Sequence, residues 1–167
     1  AALVAAGADF LDCETLPSFA EAEALAALMD EFGAESWFSF SLRDGAHISD
    51  GTPLTAVAGL LDANPLVAAI GVNCVPLHLV TPALAALQSA TAKPLVAYPN
   101  SGETYDPVTK TWGPTTAPGE GNRDAHPVDP AAGVATWLDH DARIIGGCCR
   151  TAPADIAAVG QALAAQR

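Results

Sequence analysis

Positive charge is scarce in this chain. Seven Lys and Arg stand against nineteen Asp and Glu in 167 residues, a formal net charge of −12 at pH 7. So acidic a chain repels phosphate backbones and anionic headgroups, which argues against nucleic acid and membrane surfaces as partners. Charged residues of both signs make up 16% and apolar residues 50%, the balance of a globular chain rather than a disordered one. Long apolar runs are also missing: none reaches the roughly 18 uninterrupted residues of a membrane span. Ala1 to Ala8 has neither the basic start nor the length of a secretory leader, and the cysteines, at expected strand ends, suit a reduced, cytoplasmic protein. There is no Cys-x-x-Cys pair, which weakens a redox or metal-storage reading. His47, His78, His126 and His140 lack ligand spacing and are expected to be solvated in loops or near helix ends.

Cysteine is present, and its placement is informative. The apolar run Leu66 to Val72 ends in Asn73-Cys74, and the run beginning Arg143-Ile144-Ile145 passes through Gly146-Gly147 to Cys148-Cys149. Three thiols thus lie at the ends of two expected strands. Three thiolates can hold one zinc ion and leave its fourth position open, as catalytic sites do. In a regular strand Cys148 and Cys149 would face opposite ways, so both reach one metal only where the strand has ended. Gly146 and Gly147 are expected to permit that turn. Neighbouring cysteines pair poorly as a disulfide, and a chain of this size needs no such staples, so a reduced state is expected. Cys13 lies within a strand pattern and reads as core packing.

The remaining pattern alternates strand and helix. Ala1 to Ala6 reads as the tail of a helix stopped by Gly7, and residues 9–13 as a strand ending at Glu14. Ser18 with Glu21 forms a capping box for a helix over residues 19–32. A strand over 37–42 and a polar loop over 43–51 precede Thr52-Pro53, which open a helix to about Ala63. The strand 66–74 follows, then Thr81-Pro82 as the start of a helix to about Ala90, and a strand over 94–98. A long Gly- and Pro-rich stretch, 99–127, leads to a short helix from Asp129-Pro130 through Leu138, a strand over 142–147 and a final helix capped at Thr151. Five βα units, repeating about every 30 residues, imply parallel strands joined by right-handed crossovers. In such α/β sheets the chemistry gathers beyond the C-terminal ends of the strands, and Glu14, Cys74, Asn100, Cys148 and Cys149 all fall there. Taken alone, Glu14 is an exposed strand-end acid and Asn100 the first residue of an Asn-Ser-Gly turn.

The pair of motifs GVNC (71–74) and GGCCRT (146–151) resembles the homocysteine-binding domain of the homocysteine S-methyltransferases. The stretches DCETLPSF (12–19), WFSFSLRD (37–44), SDGTPL (49–54) and YPNSGETYD (98–106) agree with it, so the resemblance spans nearly all of residues 1–167. It is nearest to the bacterial branch that uses S-methylmethionine. The resemblance implies an α/β fold of the (β/α)8 TIM-barrel type, typically about 250 residues long, with this chain supplying strands four to eight. The family's first-strand Asp-Gly-Gly segment has no match here, and residues 114–141 depart from the family pattern.

The resemblance implies further that Cys74, Cys148 and Cys149 bind Zn2+, that Glu14 holds the homocysteine ammonium, and that Asn100 contacts the amino-acid end of a substrate. A free thiol with a pKa of about 8.5 is only a few per cent ionised at neutral pH. Zinc coordination removes that proton, and a sulfur-rich ligand set leaves the substrate thiolate electron-rich enough to attack a methyl-sulfonium donor, with no further catalytic side chain required. The expected reaction moves a methyl group from S-methylmethionine, or S-adenosylmethionine, to L-homocysteine and gives methionine. The alternative is a non-catalytic, zinc-binding partial barrel that needs a partner or an oligomer to cover its open edge, because an unpaired strand edge favours self-association. Asn73 reads as fixing the turn before Cys74; Tyr105 and Trp112 read either as part of a lid or as pins for the long loop.

Overall fold

The computed structural model describes residues 1–106, 108–113 and 129–166. It starts with a one-turn helix, α1 (Ala2–Ala5), followed by strand β1 (Leu11–Leu16). Helix α2 (Phe19–Phe32) begins where Ser18 Oγ accepts the Glu21 N–H at 3.3 Å and ends at Gly33 in the left-handed conformation, φ 62°. Then come β2 (Ser36–Phe40), a small antiparallel hairpin β3 (Leu42–Asp44) and β4 (His47–Ile48), and helix α3 (Leu54–Asp62). Strand β5 (Val67–Asn73), helix α4 (Leu77–Gln88) and strand β6 (Leu95–Tyr98) follow. A second antiparallel hairpin, β7 (Thr104–Asp106) and β8 (Thr111–Gly113), stands after β6. A 3-10 turn (Pro130–Gly133) leads into α5 (Val134–Asp139), β9 (Ala142–Ile145) and α6 (Pro153–Ala164).

The main sheet has the order β1-β2-β5-β6-β9, with every neighbouring pair parallel. The order follows the chain without reversal. Right-handed crossovers then place every connecting helix on the same face, which is the winding of a barrel arc rather than of a doubly wound sheet. Five βα units of the expected (β/α)8 type are therefore present. The core lies between this sheet and its helices: Phe38, Phe40, Ile70 and Leu95 from the strands meet Leu54, Leu61, Leu84 and Trp137, all buried. Each such side chain contributes roughly 1.5–3 kcal/mol by leaving water. The alternate strand residues face the inside of the arc, and there the chain places Asp12, Trp37, Ser39, Asn73 and Tyr98. Among the described residues no helix is long and apolar enough to cross a membrane.

Several local expectations are corrected. Helix α4 starts at Leu77, so Thr81 is not its cap and Pro82 lies inside it. Its apolar stripe, Val80, Ala83, Leu84 and Leu87, buries as one face only if the helix begins before Pro82. Packing outweighs the one lost N–H bond, and the proline ring lies so close to the β3–β4 hairpin that a Cβ on Gly45 would come within 2.8 Å of it. Strand β1 continues two residues beyond Glu14, through an irregularity between Cys13 and Leu16. The N-cap position of α3 is Pro53, and Thr52 instead donates its N–H to Asp50 Oδ1 at 2.8 Å. Likewise Thr151 does not cap α6; Asp155 Oδ2 accepts the Ala152 N–H at 2.7 Å. His47 is paired with Asp44 at 2.9 Å and His140 bonds Gln88 at 2.9 Å, so neither is simply solvated. His126 lies outside the described residues. Tyr105 and Trp112 stand opposite each other on the β7–β8 hairpin.

Candidate functional site

The site is built where three strands of the sheet end side by side. Cys74 follows β5 and Cys148-Cys149 follow β9, with the exit of β6 between them. That exit, residues 98–101, ties both cysteine loops together. Cys74 N–H donates to Tyr98 O at 3.0 Å, and Asn100 N–H donates to Val75 O at 3.0 Å. On the other side Cys148 N–H donates to Pro99 O at 2.8 Å and Ser101 N–H to Cys149 O at 3.1 Å. The three cysteine sulfurs consequently lie within 4.8 Å of one another. Two thiolates on a tetrahedral ion with bonds of about 2.3 Å sit roughly 3.8 Å apart, so a slight contraction closes the trio on one ion. Cys74 and Cys148 are half-buried, Cys149 is exposed, and no disulfide joins them. The donor set and its one open side fit a zinc ion with a free coordination position.

Electrostatics divides the trio. The Cys148 thiol is lowered to about 6, chiefly because the Cys74 thiol donates a hydrogen bond to its sulfur; burial opposes the shift. Cys74 is raised for the same reason, its proton being held by Cys148, with burial adding. Cys74 also adopts φ 53°, a left-handed backbone that costs a non-glycine residue about 1–2 kcal/mol. Its surrounding bonds from residues 98–100 hold it there. Cys13 takes no part: it is buried on the helix-facing side of β1, where burial first and the Asp12 charge second push its thiol up to about 11.

The glycines before Cys148 divide their expected job unequally. At Gly147 a Cβ would meet Thr151 Oγ1 at 2.5 Å, and that hydroxyl donates to Cys148 O at 2.7 Å. At Gly146 the nearest atom would be Tyr98 Cβ at 3.6 Å, ordinary contact. Only Gly147 is required by close approach.

Asn100 is 5% exposed and already engaged. Its Nδ2 donates to Cys74 O at 3.2 Å and its Oδ1 accepts Gly102 N–H at 2.8 Å, closing the Asn-Ser-Gly turn. The side chain therefore braces the Cys74 loop, with one amide hydrogen and one lone pair of Oδ1 left for another partner. Glu14 is exposed on the inner face of the arc, close enough for its charge to oppose ionisation of Cys148. Its place is set by Asn73. That fully buried amide spans the end of β2 to β1, accepting Thr15 N–H at 2.8 Å and donating to Thr15 Oγ1 at 2.7 Å. Thr15, at φ 58°, is the irregular residue of β1, so Asn73 fixes the bulge beside Glu14 as well as the approach to Cys74.

A further element was not visible in the motifs one at a time. Glu103 and Arg150 form a two-pronged ion pair, with Arg150 Nη2 donating to Glu103 Oε1 at 3.1 Å and Nε donating to Oε2. Ser101 Oγ also donates to Glu103 Oε2 at 3.0 Å. The pair holds the Glu103 carboxyl below its usual range, mainly through the guanidinium hydrogen bond. It straps the loop after β6 to the residue next to Cys149. The two motifs involved, YPNSGE and GGCCRT, carry opposite charges, and that was the only available signal.

A family model described as homocysteine S-methyltransferase matches residues 1–163. The chain belongs to the homocysteine S-methyltransferase family. It is 52% identical over 159 residues to the homocysteine S-methyltransferase of Escherichia coli strain K12, covering 95% of this chain and 49% of that protein. Homocysteine S-methyltransferase YbgG of Bacillus subtilis strain 168 is 47% identical over 156 residues, covering 93% of this chain and 47% of its own length. The metallated form of the homocysteine methyltransferase MmuM from Escherichia coli superposes with a TM-score of 0.77 at 46% identity, covering 96% of this chain and 47% of that one. The chain thus spans about half the length of the curated relatives it matches. The homocysteine S-methyltransferase motifs at 71–74, 98–103 and 146–151 are the segments that the structure laces into one site.

Proposed function

We propose that this chain forms the zinc- and homocysteine-binding part of an enzyme that methylates the thiol of L-homocysteine from a sulfonium, S-methylmethionine or S-adenosylmethionine, to give methionine. The observation that carries the reading is the approach of the Cys74, Cys148 and Cys149 sulfurs to within 4.8 Å at the exits of β5 and β9. Family membership and the metallated relative support it. Bound by these three thiolates, zinc supplies the Lewis acidity that keeps the homocysteine thiol ionised at neutral pH.

The chain's own residues do the rest. Residues 98–101 hold the cysteine loops in register. Glu14, set by the Asn73–Thr15 pair, offers a carboxylate to the homocysteine ammonium, and Asn100 keeps one donor for its carboxylate end. The thiolate sulfur then meets the donor's methyl carbon in line. A new S–C bond forms as the old one breaks, and the electron pair stays on the donor sulfur, which leaves as a neutral thioether. Thiol ligands of this kind need a reducing compartment, which suits the cytoplasm.

The reading is tested by methionine formation in the complete protein with zinc, homocysteine and each sulfonium in turn; no product from any of them would overturn it. Glu14→Gln keeps the size and removes the charge. Loss of a charge-assisted hydrogen bond should weaken homocysteine roughly tenfold or more, with zinc content unchanged. Unaltered homocysteine binding would return Glu14 to an exposed strand acid. The strap makes a separate prediction. Glu103→Gln touches no ligand sulfur, yet outer partners of metal ligands commonly govern affinity by about 10–100-fold. Zinc should pass to a competing chelator about ten times faster than from wild type, and an unchanged rate would mean that the Glu103–Arg150 pair does not steady Cys149.

A further inference from the structure

Beside the thiol trio, the inner face of the arc holds a cleft of about 230 Å3 lined by Asp12, Trp37, Tyr98, Ile144, Ile145, Gly146 and Gly147. One wall runs directly into Cys148 through Gly147. The rest of the lining is apolar or aromatic except for one carboxylate and one phenol, and these two are connected. Tyr98 O–H lies 3.3 Å from both Asp12 oxygens and 2.5 Å from Ser39 Oγ. With Asp12 ionised, Tyr98 donates to it, and the fully buried Ser39 hydroxyl donates in turn to Tyr98. The carboxylate is thereby held at the cleft wall. Trp37 is held too, its ring packed against Phe10 at 5.2 Å between centroids.

Among the described residues no counter-charge is paired with this wall. None of the three ion pairs among the described residues includes Asp12 or Glu14. Burial pushes the Asp12 carboxyl above its usual range and the Glu14 charge adds to that, while Trp37 and Tyr98 pull the other way. A cation in the cleft would relieve both opposing effects. The two carboxylates are not equivalent: both charges are felt at Tyr98, but that of Glu14 also reaches Cys148, whereas that of Asp12 reaches Cys13. Glu14 therefore flanks the acceptor side, and Asp12 lies farther along the cleft. An aromatic face, aliphatic walls and one fixed carboxylate suit a soft, weakly hydrated onium bearing methyl groups better than an ammonium, which asks for several hydrogen-bond acceptors.

The geometry points to Asp12, with Trp37 and Tyr98, as the subsite for the positive charge of the sulfonium methyl donor, making Asp12 a specificity-determining residue. This rests on the methyl-transfer reading above, and the experiment separates the two. The complete, zinc-loaded protein and its Asp12→Asn variant are titrated calorimetrically with S-methylmethionine and, separately, with L-homocysteine. Methyl transfer is assayed in parallel. The expected result is sulfonium binding weakened about tenfold or more, with homocysteine affinity and zinc content held. Asp12→Glu, which keeps the charge, should recover part of the loss; Tyr98→Phe, which frees the carboxylate and takes the acceptor from the Ser39 hydroxyl, should weaken the sulfonium less than Asp12→Asn does.

Equal sulfonium binding in wild type and Asp12→Asn overturns the subsite, as does a loss confined to homocysteine, which would assign Asp12 to the acceptor's ammonium. If Asp12→Asn fails to fold, sulfonium binding by Asp12→Glu and Tyr98→Phe indistinguishable from wild type overturns it equally. Selective loss of sulfonium binding without any methyl transfer in the wild type would sink the transfer reading and leave the subsite standing.

Discussion

Cys148→Ser should abolish stoichiometric zinc binding, from about one ion per chain to almost none, while the fold persists. Cys148 is half-buried at the exit of β9 and accepts a hydrogen bond from the Cys74 thiol. A serine hydroxyl is not ionised near neutral pH, so the site keeps two thiolates and loses the third. Structural zinc sites bind with roughly 10–16 kcal/mol at pH 7, strongly pH-dependent, so one lost thiolate is a large share. Metal analysis of purified variants decides the matter: equal zinc in wild type and Cys148→Ser removes Cys148 from the site. Cys13→Ser is the control. Its sulfur is buried among the helix-facing core, and zinc should stay even where stability falls.

The same site gives a pH dependence with a definite sign. Metal ligands must be deprotonated, so affinity rises with pH wherever a ligand still carries a proton. Above about pH 6 Cys148 is already a thiolate in the metal-free chain, while the raised Cys74 must still give up its proton. Below about pH 6 Cys148 is protonated as well, so zinc must displace one more proton. Chelator competition between pH 5 and 8 should show affinity falling with acidification and falling more steeply below about 6. A slope that does not change across that range would show that Cys148 does not titrate as assigned.

Gly71→Ala should be the most damaging single methyl in the sheet. Gly71 lies at the centre of β5, paired with Val96 of β6, and both strands are buried. A Cβ there would stand 1.9 Å from Val96 O and 2.6 Å from Val96 Cβ. The obstacle is backbone in a ladder that cannot shift without parting β5 from β6, two of the three strands whose ends build the thiol site. Overpacking on this scale costs about 3 kcal/mol or more, which for a chain of this size lowers the melting temperature by roughly 6–12 °C. Gly59→Ala supplies the contrast: it sits in α3 with nothing within 4 Å of the added methyl, so it should stabilise by about 0.5–1 kcal/mol. Thermal melts of the two variants side by side test the pair, and a Gly71→Ala melt within about 2 °C of wild type would contradict the contact.

The alternation of apolar runs with capped helices was enough to read five βα units and to put Cys74, Cys148 and Cys149 at strand exits. Those features are local: period, caps and chain-breaking glycines act within a few residues. The core assignment of Cys13 came from the same source. Errors arose where tertiary packing overruled a local rule. Pro82 looks like a helix start, but the stripe from Val80 to Leu87 had to face the sheet, so the helix absorbs the proline. Thr151 looks like a cap, but its hydroxyl is taken by Cys148 O. The stretches that read as polar loops after β2 and β6 both contain hairpins, because short antiparallel pairs carry too little apolar pattern to announce themselves. Only the fold decides which strands are neighbours. The order β1-β2-β5-β6-β9 places the β6 exit between Cys74 and Cys148, so one four-residue segment supplies the bonds that draw three sulfurs together. It also places Asn73 within reach of Thr15, Arg150 of Glu103, and Tyr98 of Asp12, separations of 58, 47 and 86 residues along the chain. A linear pattern carries the residue types for such contacts but no information on which distant partner each one meets, since that depends on strand order and register, and these are settled by burying the whole sheet at once.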